Sequence, residues 1–252
     1  MRRVIEYGGL SIPSVTAGEM ERVDDRMMNV YGVHLLQMME NAGAALATLA
    51  VHLVPSGRRA RRITVVAGAG GNGGGGLAAA RRLAAWGWPV EVWLATAMLQ
   101  AVPQVQHDIL QNMGVPVLLA ESQGWRGMAQ CLASSRLVID ALLGYRVAGP
   151  AHGGVAALIQ RINQGTAPVL ALDVPSGLDP TTGVPTGPAI QATATLMLAL
   201  PKCGLLEVSA APYCGDLYLA DIGIPCALYT LLGISVPAIF QGEPYIALAA
   251  SP

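Results

Sequence analysis

The sequence predicts an α/β fold, a mainly parallel sheet with helices on both faces. Three observations carry that expectation. Short apolar runs such as 63–67 and 169–173 alternate along the chain with helical stretches, the order of right-handed βαβ units. The runs are apolar on successive residues rather than alternate ones, as strands buried on both faces require. Between the first run and the next helix lies a segment, 68–76, in which seven of nine residues are glycine. Open α/β sheets take ligands at such strand-to-helix turns.

The elements follow in order. Residues 14–54 read as two helices. Ser14 or Thr16 caps the first, with Glu19 or Glu21 in its opening turn. Met20, Val23, Met27, Met28 and Val30 recur near helical spacing, and Gly32 ends the run. The second helix runs from His34 to about Val54, with Met38, Met39, Ala42, Ala45 and Leu46 on its apolar face. Strands are expected at 63–67, 90–94, 115–119, 137–140 and 169–173, and helices at 77–86, 105–113, 125–134 and 155–163. Residues 193–200 and 216–219 read as two later strands, while the apolar, proline-punctuated tail 225–252 has no assigned element. The 252 residues suit one domain, with a core over about 15–225 and an extension over 226–252.

Composition excludes several classes. Net charge is -1 and only 12% of residues are charged, so no basic surface awaits a nucleic acid. The densest basic run, Arg58, Arg59, Arg61 and Arg62, reads as a solvated loop. Mean hydropathy is +0.47, yet no window offers the roughly 18 uncharged apolar residues of a membrane span. Glu6, Gly8 and Gly9 follow the opening arginines where a secretory signal needs an apolar stretch. Cys131, Cys203, Cys214 and Cys226 form no C-x-x-C pair and no zinc spacing. Reduced thiols in a cytoplasm are expected. So few charges suggest a surface partly covered by a partner.

Three strand ends carry polar or glycine-rich signals: 68–76, 140–144 and 173–177. Ends from one sheet converge on one crevice. The first contains G-x-G-x-x-G, whose backbone N–H groups can approach a phosphate. The acid that a hydride-transfer enzyme places about 20 residues on is missing, because the second strand ends Leu94-Ala95-Thr96. No Gly-Lys-Ser/Thr follows for a P-loop. At the second end, Asp140 can cap the next segment or bind a cation or hydroxyl. At the third, Asp173-Val174-Pro175-Ser176-Gly177 forms a sharp turn presenting Asp173 and Ser176. It is no nucleophile elbow, and His34, His52, His107 and His152 all lie away from strand ends.

The order of these motifs, followed by Pro201-Lys202-Cys203-Gly204-Leu205, resembles the YjeF N-terminal domain family. Met39-Glu40-Asn41-Ala42-Gly43 is similar to its helix signature, and Cys214-Gly215-Asp216 through Pro225 to its closing strand. The resemblance spans about 15–225. It implies a Rossmann-like three-layer α/β/α sandwich, often dimeric, that epimerises the R and S hydrates of NADH and NADPH, NADHX and NADPHX. It also implies a homodimer, a separate dehydratase in the pathway and a potassium ion. Carried over by motif, the potassium ligands are Asn72, Asp140 and Ser176, all oxygen donors as a hard cation requires. Substrate contacts fall to Gly71, Asn72, Gly73, Gly74 and Gly75, to Gly144, Tyr145, Arg146, Val147, Ala148, Gly149 and Pro150, and to Asp173. Asp173 is the implied acid–base group. Lys202 is a second catalytic candidate, placed toward the ligand's phosphates.

The chain departs from the family pattern twice. The usual Asn-Asn-Gly-Gly-Asp loop reads Gly71-Asn72-Gly73-Gly74-Gly75, so an amide and a carboxylate become glycine. The usual Gly-x-Gly becomes Gly144-Tyr145-Arg146. The alternative function is therefore a catalytically degenerate homologue that binds another nucleotide-like ligand or serves as a scaffold. Tyr145 or Arg146 filling the space beside Asp173 would favour it. Asp173→Asn is expected to abolish activity without unfolding the protein.

Overall fold

The computed structural model describes residues 3–54, 62–122, 124–147 and 149–248. An antiparallel hairpin of β1 (Val4–Tyr7) and β2 (Leu10–Pro13) opens the chain. Its turn residues Gly8 and Gly9 both have positive φ, 54° and 80°, as a tight hairpin turn demands. No periodic pattern in the sequence predicts this hairpin. Helix α1 (Ala17–Asn29) starts at Thr16, whose side chain accepts from the Glu19 N–H while Glu19 bonds back to the cap. Helix α2 (Leu35–Leu53) follows.

The main sheet contains β3 (Ile63–Ala67), β4 (Val90–Leu94), β5 (Val117–Leu119), β6 (Leu137–Ala141), β7 (Val169–Leu172), β8 (Ala194–Leu198), β9 (Asp216–Ala220) and β10 (Tyr245–Ala247). Their spatial order is β10-β9-β8-β7-β6-β3-β4-β5. Every pairing is parallel except β10 on β9, which is antiparallel. The proline-punctuated tail, whose pattern predicts no element, thus supplies an edge strand. The chain winds outward from β3 in both directions, so the switch point lies between β3 and β6.

Period-2 alternation sorts side chains to two cores. Ile63, Val65 and Ala67 face the cluster containing α2 and α3 (Gly71–Ala85). Val66, Val138 and Ala171 face the cluster containing α5 (Gly124–Ser134) and α6 (Gly153–Gln164). The helix signature has a packing reason. A Cβ on Gly43 would lie 2.5 Å from Ala78 Cβ and 2.9 Å from the Ala79 nitrogen, so α2 and α3 touch backbone to backbone. Glu40 pairs with Arg81 at 2.6 Å and Arg82 at 3.1 Å, and Asn41 donates to the Ile222 carbonyl.

Helix α3 corrects one expectation. It begins at Gly71, six residues before the predicted start, so the glycine segment is mostly helix rather than loop. Glycine costs about 1 kcal/mol per helical position, which is why pattern alone places the start at Leu77. Packing overrides that cost. A Cβ at Gly73 would meet the Gly68 carbonyl oxygen at 2.0 Å, and one at Gly76 would meet Ala141 Cβ at 2.4 Å. A smaller difference affects α4 (Ala101–Asn112), which starts four residues earlier than its pattern suggests.

Candidate active site

The three polar strand ends do converge. Gly68 follows β3 at the switch point, and its N–H donates to Ala141 on β6 at 3.0 Å. A Cβ at Gly68 would lie 1.9 Å from the Leu142 carbonyl oxygen, so this crossing admits only glycine. Asn72, in the first turn of α3, donates from Nδ2 to the carbonyls of Leu143 (2.9 Å) and Leu172 (3.2 Å). One side chain thereby ties α3 to the ends of β6 and β7.

Asp140 is 0% exposed. Its Oδ1 accepts from Ser176 Oγ at 2.7 Å and from the Leu142 N–H at 3.2 Å, and its Oδ2 accepts from the Ser176 N–H at 2.9 Å. Ser176 Oγ in turn accepts from the Leu143 N–H. Among the described residues no Lys, Arg or His pairs with this carboxylate. Burial pushes its pKa up to about 6 against the opposing hydrogen bonds.

Asp173 lies one residue beyond β7 with φ 68°, left-handed backbone that Asp tolerates better than most residues. It is 3% exposed. Its Oδ1 accepts from Lys202 Nζ at 2.5 Å and its Oδ2 from the Tyr145 N–H at 3.3 Å. Lys202 is 0% exposed, also donates to the Leu198 carbonyl at 2.7 Å, and is the only lysine in the sequence. Its backbone bridges to Val15, the residue before the Thr16 cap. Lys202 is thus placed as the buried counter-ion of Asp173.

Tyr145 covers this pair. Lys202 Nζ stands 5.6 Å from the Tyr145 ring centroid. The phenol donates to Asp24 Oδ2 at 2.6 Å, and Arg146 donates to both the phenol (2.9 Å) and Asp24 (3.2 Å). The cavity beside Gly144, Val174 and Gly177 has ≈ 10 Å³, and the groove between Tyr145 and Gly18 has ≈ 160 Å³. Both fall below the roughly 300–1,000 Å³ of small-molecule sites. Tyr145 thus touches both members of the buried pair, Asp173 through its N–H and Lys202 through its ring.

The remaining predicted contacts are distributed unevenly. Gly73, Gly74 and Gly75 are buried. A side chain at Gly75 would enter the apolar seam of Leu172, Met39 and Ala42 rather than the crevice. Gly144 leaves room for Asn72, whose Cβ would be 3.2 Å from a Cβ at that position. Val147 is exposed, the Gly149 carbonyl accepts from Thr186, and Pro150 packs near Gly187. Ala148 lies outside the described residues, as do Arg58, Arg59 and Arg61. All four cysteines are unpaired. No described helix is long and apolar enough to cross a membrane. Sequence reasoning missed Asp24. Its signal was an acid among Met20, Val23 and Met27 on the buried face of α1.

A family model described as YjeF-related protein N-terminus matches residues 35–204. The chain belongs to this family. Within it, the chain is 37% identical over 229 residues to the NAD(P)H-hydrate epimerase of Dehalogenimonas lykanthroporepellens, covering 90% of this chain and 88% of the relative. It is 37% identical to the NAD(P)H-hydrate epimerase of Truepera radiovictrix, covering 86% and 89%. A bifunctional NAD(P)H-hydrate repair enzyme of Moorella thermoacetica is also 37% identical, over 84% of this chain but only 40% of the relative. The YjeF-type fold itself is shared with the crystal structure of the yeast protein ynu0, at TM-score 0.81 and 22% identity, covering 93% and 99%.

Proposed function

We propose that this protein is an NAD(P)H-hydrate epimerase that interconverts the R and S hydrates of NADH and NADPH. The observation that carries the reading is the 37% identity across nine-tenths of the chain to a relative of that name. The site chemistry is compatible with it. Inverting the hydrated carbon needs a group that takes up a proton and returns it. Asp173 is the carboxylate available. Lys202 balances its charge from the buried side, and the left-handed backbone turns it out of the sheet.

A potassium ion belongs to the same proposal. Asp140, Ser176 and Asn72 offer only oxygen to a cation, as a hard ion requires, and Asp140 is a buried carboxylate with no cationic side chain among the described residues. Asn72 commits its Nδ2 to two carbonyls, which leaves Oδ1 for a ligand role. A bound cation would supply the missing countercharge and anchor anionic or hydroxyl groups. Its test is a thermal shift: KCl is expected to raise the melting temperature above that in equal NaCl, and the difference should vanish in Asp140→Asn. The low charged fraction supports a homodimer whose mass light scattering would read.

A second reading, a non-catalytic relative, is favoured by Tyr145 standing over the Asp173–Lys202 pair. One experiment separates the two. Purified R-NADHX is incubated with the folded protein in KCl and conversion is read by coupling to an S-specific dehydratase. Turnover above the spontaneous rate is expected. None, from folded protein, would leave the binding or scaffold reading.

A further inference from the structure

Asp24 is 8% exposed and sits on the apolar face of α1, beside Met20, Val23 and Met27. A buried carboxylate is costly unless its oxygens are bonded, and desolvation raises its pKa despite the opposing Tyr145 hydrogen bond and Arg146 charge. Its bonds go to neither its own helix nor the sheet. They cross 121 and 122 residues of sequence to the Tyr145 phenol and the Arg146 guanidinium. Arg146 closes the triangle by donating to the phenol as well.

Two features make this triangle a fastening rather than mere packing. First, Tyr145 touches both members of the buried pair, its ring centroid 5.6 Å from the Lys202 ammonium and its N–H donating to Asp173. Second, α1 is fixed to that same pair. The bridge between Val15 and Lys202, with Val15 accepting from Cys203 and donating to Pro201, anchors the chain just before the Thr16 cap. The helix carrying Asp24 and the lysine beneath Tyr145 are therefore registered on one short stretch of backbone. Arg146 is meanwhile spent on Asp24, with Glu21 contributing further negative charge nearby.

We propose that Asp24 is a positioning residue: it latches Tyr145 and Arg146 closed over the Asp173–Lys202 pair, and the site opens when that latch releases. The substrate's identity rests on the epimerase reading, but the latch does not. An anionic substrate would compete with Asp24 for Arg146 and so favour the open arrangement.

The test uses the chain's single lysine as a reporter and needs neither substrate nor turnover. The intact protein is exposed to formaldehyde and a borane reductant, and methylation of Lys202 is followed by mass spectrometry of one peptide. Loss of a hydrogen bond to a charged group corresponds to about tenfold or more in an opening equilibrium. Asp24→Ala and Tyr145→Ala are each expected to speed Lys202 labelling by about that factor. Asp24→Asn, which keeps an acceptor for the phenol but loses the charge, should fall between. In the Tyr145→Ala background, Asp24→Ala should add no more than about twofold, because nothing remains to latch. An unchanged rate in Asp24→Ala would overturn the proposal. So would effects that multiply fully in the double variant, since that is the behaviour of general destabilisation. Failure of the epimerase reading would show separately, as absent turnover in the unmodified protein.

Discussion

Replacing Asp173 by Asn probes the site most directly, and the structure changes its expected outcome. Asn suits the backbone at φ 68° and keeps an acceptor for the Tyr145 N–H. It cannot balance Lys202, however, which is 0% exposed and 2.5 Å away. Removing one member of a buried ion pair costs about 3–5 kcal/mol. Against a total stability of about 5–15 kcal/mol, that is a large share. At about 2–4 °C per kcal/mol for a chain of this size, the melting temperature should fall by about 6–20 °C. The fold-silent inactive variant expected from sequence is therefore better sought in Asp173→Asn combined with Lys202→Met. The apolar methionine leaves no orphaned charge, so the double variant should return to within about 1–2 kcal/mol of the original. Urea and thermal unfolding at pH 7 read both. A single variant as stable as the original, or a double variant less stable than the single, would refute the claim that charge balance holds this pair.

Gly68→Ala should cost about 3 kcal/mol or more in urea unfolding, because its Cβ would meet the Leu142 carbonyl oxygen at 1.9 Å and that oxygen belongs to backbone, which cannot rotate away as a side chain can. Gly43→Ala should cost about 1–3 kcal/mol by forcing α2 from α3, with Ala78 Cβ only 2.5 Å away. A cost below about 0.5 kcal/mol in either would show that the neighbouring backbone yields. The Asp24 carboxyl has its pKa raised in the fold, chiefly by desolvation. Its stabilising contribution is therefore full below about pH 4, where the unfolded group titrates, and is lost as pH rises through the folded value. Unfolding free energy followed upward from pH 4 should lose that component in Asp24→Asn, and an unchanged slope would count against the burial argument.

Much of the fold was legible because its signals are local. Continuous apolar runs at 63–67 and 169–172, interleaved with helical stretches, dictate buried parallel strands whatever the rest of the chain does. The order of motifs located Asp140, Asp173, Ser176 and Asn72 at strand ends, and the sheet brings those ends together at the switch point. The hairpin 4–13 and the edge strand 245–247 were missed because each is only three or four residues long per strand and is stabilised by pairing rather than by pattern.

Helix α3 shows where local reasoning gives the wrong boundary. Intrinsic propensity rejects this glycine-rich stretch as helix, yet contacts with Gly68, Val102 and Ala141 leave little or no space for a side chain at Gly73, Gly74 and Gly76, and packing decides. The charges behave likewise. Sequence determined that one lysine exists and that Asp173 ends a strand, while the acid on the buried face of α1 went unread because its partners lie far along the chain. Only the tertiary structure decided that the lysine neutralises Asp173 and that the acid holds Tyr145 above them. Partners 29 and 121 residues apart share no local pattern, because such pairs are chosen by the energy of burying charge together once the backbone has folded.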